Sequence, residues 1–296
     1  MAEYEVKNGV GIIPDGTTEI QPRAFFGCKD LISIVIPDSV TKIGDSAFAF
    51  CWGLTNVTIG KGVTSIGERA FNDCTGLTEI VIPEGVTEIG SSAFSKCKGL
   101  SEIVIPNSVT TIGGCSFQGC SGLTKVEIPD SVTSFGLGAF SVCPGLTNIN
   151  LPKNLTVIER FLFENCSGLT SVVIPEGVTS IGEYAFQNCK GLTEVVIPKG
   201  VTSIGEKAFN GCVSLESIVI PEGVKEIAKM AFYKCTSLTS VVLPKGVNKI
   251  DYDAFASCEE LKTIYVPAKK TNYYESRIGS RYYTIIEQEP VKKSKK

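Results

Sequence analysis

Eleven cysteines recur at intervals of 23 residues, with no insertion or deletion between them. A phenylalanine precedes each of these cysteines by three residues, and a leucine follows each by three residues. Because these three columns stay aligned over ten consecutive periods, the chain consists of internal repeats. This repetition constrains the fold more than any other feature of the sequence. The cysteine column, which we call the thiol ladder, comprises Cys28, Cys51, Cys74, Cys97, Cys120, Cys143, Cys166, Cys189, Cys212, Cys235 and Cys258.

Each repeat begins with a predicted β-strand. In the third unit, residues 77–82 are mainly β-branched and alternate with period two, which is typical of a strand with one buried face. The alternation turns Ile80 and Ile82 inward and Glu79 and Val81 outward. Each coil therefore has one apolar face, which only its neighbouring coils can cover.

The remainder of the repeat predicts a turn and a second extended segment. Pro83 lacks a backbone N–H and ends the first strand, and Gly85 gives the following turn its conformational freedom. Val86 and Ile89 then form a second inward-facing pair, and the Ala93-Phe94 step packs the far side of the coil.

The unit resembles the 23-residue BspA-like leucine-rich repeat, with its A-F-x-x-C-x-x-L-T-x-I-x-I-P signature, over residues 6–267. It departs from the general leucine-rich pattern at the asparagine position, which holds Gly or Ser in most repeats and Asn only at Asn154. The resemblance implies a right-handed leucine-rich-repeat solenoid with a parallel β-sheet on its concave face and short extended and turn segments on its convex face. It also implies binding of other macromolecules, commonly by microbial surface proteins.

The pattern divides the chain into four parts. Residues 1–27 are a degraded N-terminal coil that acts as a cap, and residues 28–267 are the solenoid. Residues 268–291 predict a C-terminal cap with a short helix from Thr271 or Asn272 to Gly279, then a strand over residues 282–286. A cap is needed because the last coil would otherwise leave an apolar face and a strand edge in water. Residues 292–296 are a basic tail.

The chain contains no histidine, which excludes Ser-His and Cys-His nucleophiles, histidine metal sites and imidazole acid–base catalysis. The only closely spaced cysteines are Cys115 and Cys120, and no second pair completes a zinc site. We therefore predict no catalytic residues, no metal and no cofactor.

The thiol ladder allows two interpretations. Stacked strands lie about 4.8 Å apart, within the range that a disulfide tolerates. Equivalent side chains in a stack point the same way, however, which gives poor bridge geometry, and eleven thiols leave one unpaired. We favour a ladder of buried thiols that pack as small hydrophobes. Cys115 lies off the ladder and is expected to be more accessible.

The charge of the chain is uneven. The formal net charge is −3, but residues 268–296 contain eight Lys or Arg against three Asp or Glu, so residues 1–267 carry −8. An acidic body does not suit a nucleic-acid partner.

No segment approaches the length of a membrane span, and the N-terminus does not have the pattern of an export signal. We expect a monomer that is cytoplasmic as the sequence is written, or secreted or on the cell surface if a leader was removed.

The outward-facing strand positions are the most informative about function. One column is mostly valine, including Val104 and Val173, and an apolar strip facing solvent is typical of interaction surfaces, although valine also simply favours strands. Four polar residues interrupt the two outward columns in the middle of the chain. The same coils depart from the repeat elsewhere, for example at Phe135, Leu137 and Phe161, with the last two at positions expected to be exposed. The interruption, which we call the polar break, comprises Lys125, Glu127, Asn148 and Asn150.

These features support three hypotheses. The first is a non-enzymatic recognition scaffold that binds a protein or glycan on the concave sheet, with Val104, Val173 and the polar break as the ligand-binding residues. The second is a microbial surface adhesin or antigen of the BspA-like type. The third, more remote, is a carboxylate-dependent hydrolase.

Overall fold

The computed structural model describes residues 4–278 and 284–288. It is a stack of about twelve coils joined by parallel strands, with almost no helix, which confirms the predicted leucine-rich-repeat solenoid. The strands are β1 (Glu5–Lys7), β2 (Val10–Ile12), β3 (Glu19–Ile20), β4 (Ser33–Ile36), β5 (Lys42–Ile43), β6 (Asn56–Ile59), β7 (Ser65–Ile66), β8 (Glu79–Val81), β9 (Glu88–Ile89), β10 (Glu102–Val104), β11 (Thr111–Ile112), β12 (Lys125–Glu127), β13 (Ser134–Phe135), β14 (Asn148–Asn150), β15 (Val157–Ile158), β16 (Ser171–Val173), β17 (Ser180–Ile181), β18 (Glu194–Val196), β19 (Ser203–Ile204), β20 (Ser217–Val219), β21 (Glu226–Ile227), β22 (Ser240–Val242), β23 (Lys249–Ile250), β24 (Thr263–Pro267) and β25 (Thr284–Gln288).

The strands form two sides of each coil. The even-numbered strands β2 to β24, with β25 at the C-terminal end, lie on one side of the stack in four hydrogen-bonded segments, which together we call the first sheet. The odd-numbered strands β3 to β23 lie on another side in two hydrogen-bonded segments, β3 to β13 and β15 to β23, which together we call the second sheet. Successive strands pair in parallel with a shift of 23 residues, as in Glu102 with Glu79 and Thr111 with Glu88. Equivalent side chains are therefore stacked in columns along the solenoid.

The predicted alternation of the first sheet is confirmed. In β8, Ile80 is buried, whereas Glu79 and Val81 are exposed. The inward side chains meet those of the second sheet, such as Ile89, in a core that runs the whole length of the stack.

Phenylalanine rings form a continuous column in this core. Eleven rings from Phe25 to Phe255 are fully buried, and neighbouring rings stack with centroids 5.0 to 6.2 Å apart. The widest step, 6.2 Å, lies between Phe140 and Phe163. Phe135 packs edge-on against Phe140 at 6.1 Å in the same region, because it replaces the smaller isoleucine of other repeats. The irregular coils are thus also less tightly stacked.

The thiol ladder has a polar role that the sequence did not reveal. From Cys51 to Cys258 each ladder thiol is buried, while Cys28 at the end of the stack is partly buried. Each of those ten sulfurs lies 3.0 to 3.2 Å from the carbonyl oxygen of the phenylalanine in the preceding coil, as in Cys166 to Phe140. Burial raises the pKa of Cys212 to about 12, so this thiol stays protonated and can donate to that carbonyl.

The N-terminal coil is closed by a hairpin that the sequence did not predict. β1 pairs with β2 in antiparallel fashion, and β2 then joins the first sheet beside β4. The Tyr4 ring meets Phe25 edge-on at 5.3 Å and so covers the end of the phenylalanine column. Gly11 occupies the inward strand position, where a β-carbon would lie within 3 Å of Ile34 and Leu31 side-chain atoms.

Two elements follow the last coil. Helix α1 (Thr271–Ile278) begins at one of the two predicted residues, and β25 extends the first sheet by pairing with β24 over five residues. β25 includes residues 284–286 of the predicted strand and continues to Gln288. The predicted helix end at Gly279, the start of that strand at residues 282–283, the last residues of the predicted cap (289–291) and the basic tail 292–296 lie outside the described residues.

Two turn columns adopt left-handed backbone conformations in almost all coils. Most of these positions hold Gly, Asn, Ser, Lys or Arg, but one of them is Val142, with a φ of 57°. A β-branched residue is strained in this region because its β-carbon approaches its own carbonyl oxygen.

We expect Val142→Asn to raise the free energy of unfolding by about 1 kcal/mol, since Asn tolerates the left-handed region and Val142 is already 42% exposed. Urea titration of the two proteins checks this. Val142→Thr keeps the branched β-carbon and should bring no gain, and a gain of the same size from that control would show that strain is not the cause.

Candidate recognition surface

The outward face of the first sheet carries two apolar stretches. Val81 and Val104 belong to the N-terminal stretch, and Val173, Val196 and Val219 belong to the C-terminal one. The side chain of Val173 is 80% exposed, and the other four are 51 to 65% exposed. A row of valines this exposed has little packing to explain it, so it is available for contact with another molecule.

The polar break separates the two stretches. β12 and β14 pair so that Lys125 is opposite Asn148 and Glu127 is opposite Asn150. All four side chains are exposed. The arrangement brings two amide groups, one ammonium and one carboxylate together on a surface two strands wide.

The two charged side chains of the polar break are paired. Lys125 Nζ lies 2.6 Å from Glu127 Oε1, because residues two apart in a strand point to the same side. The hydrogen bond to Lys125 lowers the pKa of Glu127, and the same bond raises the pKa of Lys125. Both groups therefore remain charged at neutral pH and present a donor and an acceptor side by side.

A shallow groove of about 520 Å³ lies beside the polar break. Its lining includes Val104, Lys125 and Glu127, together with Glu102 and Thr124. Val173 lies apart from this groove, on β16, and in the described chain β14 pairs with β12 but not with β16. Three of the six predicted binding residues thus line this groove, Asn148 and Asn150 lie on the next strand, and Val173 lies on the strand after that.

The opposite, turn-rich face differs partly from prediction. Leu137 is 50% exposed, as expected, but Phe161 is half-buried. Its ring stacks on Tyr184 at 4.9 Å, and Lys207 Nζ lies 5.0 Å from the centre of the Tyr184 ring. Because the stacked rings cover one another, they offer little open aromatic surface for a ligand.

A second groove, which the sequence did not predict, lies towards the C-terminal end of the first sheet. Its volume is about 690 Å³, and its floor is formed by the side chains of Val196, Val219 and Val242. Its rim is formed by the residues that follow the strand-ending prolines, which lie outside the outward-facing columns of the strands.

The described residues contain no group of three or more Cys, Asp or Glu side chains placed to hold a metal ion. Cys115, the thiol expected to be accessible, is partly buried, and burial raises its pKa above the ordinary value for a thiol. Among the described residues, no helix has the length and apolar character required to cross a membrane.

Comparison with known proteins identifies the repeat. The family described as the BspA type leucine-rich repeat region matches in six copies, over residues 11–121, 87–212 and 156–278. The matches together span most of the chain. No curated protein sequence matches this chain.

Solved structures agree with this assignment. A leucine-rich cell surface protein from Faecalibacterium prausnitzii is 30% identical, with 93% of this chain and 88% of that chain covered and a TM-score of 0.55. A leucine-rich repeat protein from Bacteroides ovatus is 29% identical, with 97% and 91% covered and a TM-score of 0.51. The pneumococcal vaccine antigen PcpA shares the fold at 20% identity, with 98% and 88% covered and a TM-score of 0.57. The chain belongs to the BspA-type leucine-rich repeat family.

Proposed function

We propose that this BspA-type leucine-rich repeat protein is a non-enzymatic recognition scaffold that binds a protein or glycan on the outward face of the first sheet. The observation that carries the proposal is the exposed row of valines interrupted by the polar break. Apolar strips supply contact area, and the paired Lys125 and Glu127 beside Asn148 and Asn150 supply directional hydrogen bonds that can orient a ligand.

The solenoid suits this role because its stability does not depend on the outward columns. The core residues of each coil are inward, so the outward residues can vary without loss of the fold. Two coils that depart from the repeat consensus on this face therefore mark a place where binding, and not packing, determines the residue types.

The cell surface is the second part of the proposal. The Faecalibacterium prausnitzii relative is described as a cell surface protein and PcpA as a vaccine antigen. Both descriptions favour the adhesin or antigen alternative over a cytoplasmic role, with the same outward face as the contact surface.

Restoring the repeat consensus in the polar break tests the binding site. We expect the quadruple variant Lys125→Ser, Glu127→Val, Asn148→Ser and Asn150→Val to fold with unchanged or slightly greater stability, since an exposed ion pair contributes only about 0–1 kcal/mol and valine favours strands. The variant should lose most of the binding that the unmodified protein shows on a glycan array or on a panel of immobilised extracellular proteins.

A matched control exists on the same face. Asn56→Ser with Thr58→Val makes the same kind of change in an earlier coil, and it should leave binding intact. If the quadruple variant binds as well as the unmodified protein while Leu137→Ser with Phe161→Ser abolishes binding, the contact surface is the opposite face and the proposal is wrong.

A further inference from the structure

The C-terminal groove has the shape of a channel that runs across the strands. Val196, Val219 and Val242 succeed one another at intervals of one coil along its floor. Pro221, Pro244 and Pro267 form one side, and Glu194 and Ser217 lie on the other, so acidic groups of a ligand are favoured only on the proline side. A ligand lying in it would follow the solenoid axis and meet an equivalent set of groups at each coil, about 4.8 Å apart.

The rim of this groove carries charges that have no ion-pair partner in the described structure. Lys199, Glu222 and Lys245 follow the strand-ending prolines in three successive coils, and all are exposed. Two earlier residues of the same column, Asp130 and Lys153, are joined by an ion pair of 3.1 Å. The geometry of the column therefore permits pairing, but the charges beside the groove are left available to a ligand.

The spacing of the two lysines selects one backbone conformation. Lys199 and Lys245 lie two coils apart, which corresponds to about 9.6 Å along the axis. A polyproline II helix advances about 9.3 Å in three residues, so every third side chain falls in step with every second coil. A β-strand repeats its facing side chains at about 6.6–6.8 Å and an α-helix at about 5.4 Å per turn, and neither fits one or two coils as closely.

We infer that the C-terminal groove binds a polyproline II segment of a protein partner that carries a carboxylate at every third position. The carboxylates face Lys199 and Lys245, and the intervening proline rings lie on the valine floor. Glu222, halfway between the lysines, disfavours a segment that is acidic at every residue. Backbone carbonyls of a polyproline II segment have no internal donors, and the Ser217 hydroxyl on the opposite wall can donate to one of them.

This site deepens the proposed function, since its floor includes Val196 and Val219 of the outward valine row. It does not include the polar break, so the groove can bind its ligand whether or not the polar break binds one. It also names a chemistry for its partner. A preformed polyproline II segment loses little conformational entropy on docking, so less contact with the valine floor is needed to offset that loss.

Fluorescence anisotropy of labelled peptides with the full chain tests the inference. We expect saturable binding of a (Glu-Pro-Pro) repeat peptide, and weaker binding of a (Lys-Pro-Pro) repeat and of a (Glu-Pro) repeat, in which the acidic spacing is wrong. Lys199→Glu with Lys245→Glu should reduce affinity for the acidic peptide by about tenfold for each lysine reversed and should increase affinity for the lysine peptide. Val219→Asp should also weaken binding of the acidic peptide.

The control variant is Lys61→Glu with Lys153→Glu, which reverses two lysines of the same column outside the groove and gives the same net charge. It should bind the acidic peptide like the unmodified protein, as should the quadruple variant of the polar break. The inference is overturned if the (Glu-Pro-Pro) peptide does not bind, if it binds no better than the (Glu-Pro) peptide, or if both double reversals weaken it equally. Binding of glycans in the groove in place of either peptide would overturn it as well.

Discussion

Replacing Phe186 by Ala is expected to lower the free energy of unfolding by about 3–5 kcal/mol. The Phe186 side chain is fully buried between two stacked rings, with centroids 5.4 Å from Phe163 and 5.1 Å from Phe209. The coils on both sides are fixed by their own strands, so they cannot close the void that a missing ring would leave. Chemical denaturation of the variant, monitored by circular dichroism, measures the loss.

The phenylalanine column also offers an internal comparison. Phe140→Ala should cost less than Phe186→Ala, because Phe135 already lies against that ring and can move towards the vacant space. Phe26→Ala, which removes a ring that is 39% exposed, should cost less than either. Equal losses at all three positions would mean that the rings do not act as the tightly packed core of the stack.

The repeat made most of the fold predictable. A strict period of 23 residues places equivalent residues in columns, and the alternation within each repeat then decides which columns are buried. The two turns, the inward pairs such as Val86 and Ile89, and the exposure of Val81 follow from those two periods alone. The fold is predictable here because each coil repeats the same arrangement of strands, turns and inward-facing side chains.

The ends of the stack were less predictable, because there the chain departs from its repeat. Residues 5–12 form the β1–β2 hairpin, whereas the repeat register predicted only a degraded coil over residues 1–27. The position of Tyr4 over Phe25 depends on a turn at Asn8 and Gly9, both of which have positive φ. No column of equivalent residues exists from which such a turn could be inferred.

The two candidate sites likewise differ in whether the sequence could predict them. The polar break could be predicted because it depends only on outward positions of neighbouring strands, which the register fixes. The C-terminal groove could not, since it depends on how far the turn residues Lys199 and Lys245 project beside the valine floor. The thiol–carbonyl contacts of the ladder were missed for a similar reason, because they join residues 26 apart and not residues of one column.

The C-terminal end of the stack is held by specific contacts. The Tyr274 side chain is fully buried, and its hydroxyl donates to the Pro244 carbonyl oxygen at 2.6 Å. The Glu287 carboxylate accepts hydrogen bonds from the Thr271 hydroxyl at 2.7 Å and from the Lys269 N–H at 3.0 Å, so that β25 is tied to the start of α1.

The Glu287 contacts give this end of the stack a pH dependence. The hydrogen bond from Thr271, followed by that from Lys269, lowers the pKa of Glu287 below the ordinary range for a glutamate. A lowered carboxyl pKa contributes stability that is fully present above the unfolded value and is lost as the pH falls through the folded one. The attachment of β25 should therefore weaken under acid conditions.

Deleting residues 268–296 is expected to expose the end of the core and to destabilise the last coils. β24 would lose its neighbour β25, and the lost burial of the Tyr274 side chain alone corresponds to about 1.5–3 kcal/mol. An unpaired strand edge and an uncovered apolar layer favour association, so light scattering should report oligomers that increase with concentration. Hydrogen exchange should show faster opening from β22 and β24 than from the middle of the stack.

Truncation after residue 291 is the matched control for this deletion. It removes only the basic segment 292–296 and leaves α1 and β25 in place, so its melting temperature and oligomeric state should equal those of the full chain. If the chain that ends at Pro267 is instead monomeric and equally stable, then α1 and β25 do not act as a cap. The apolar residues Ile264 and Val266 would in that case have to be covered by another part of the last coil, because a strand with two buried side chains cannot lose the neighbouring strand β25 without a cost.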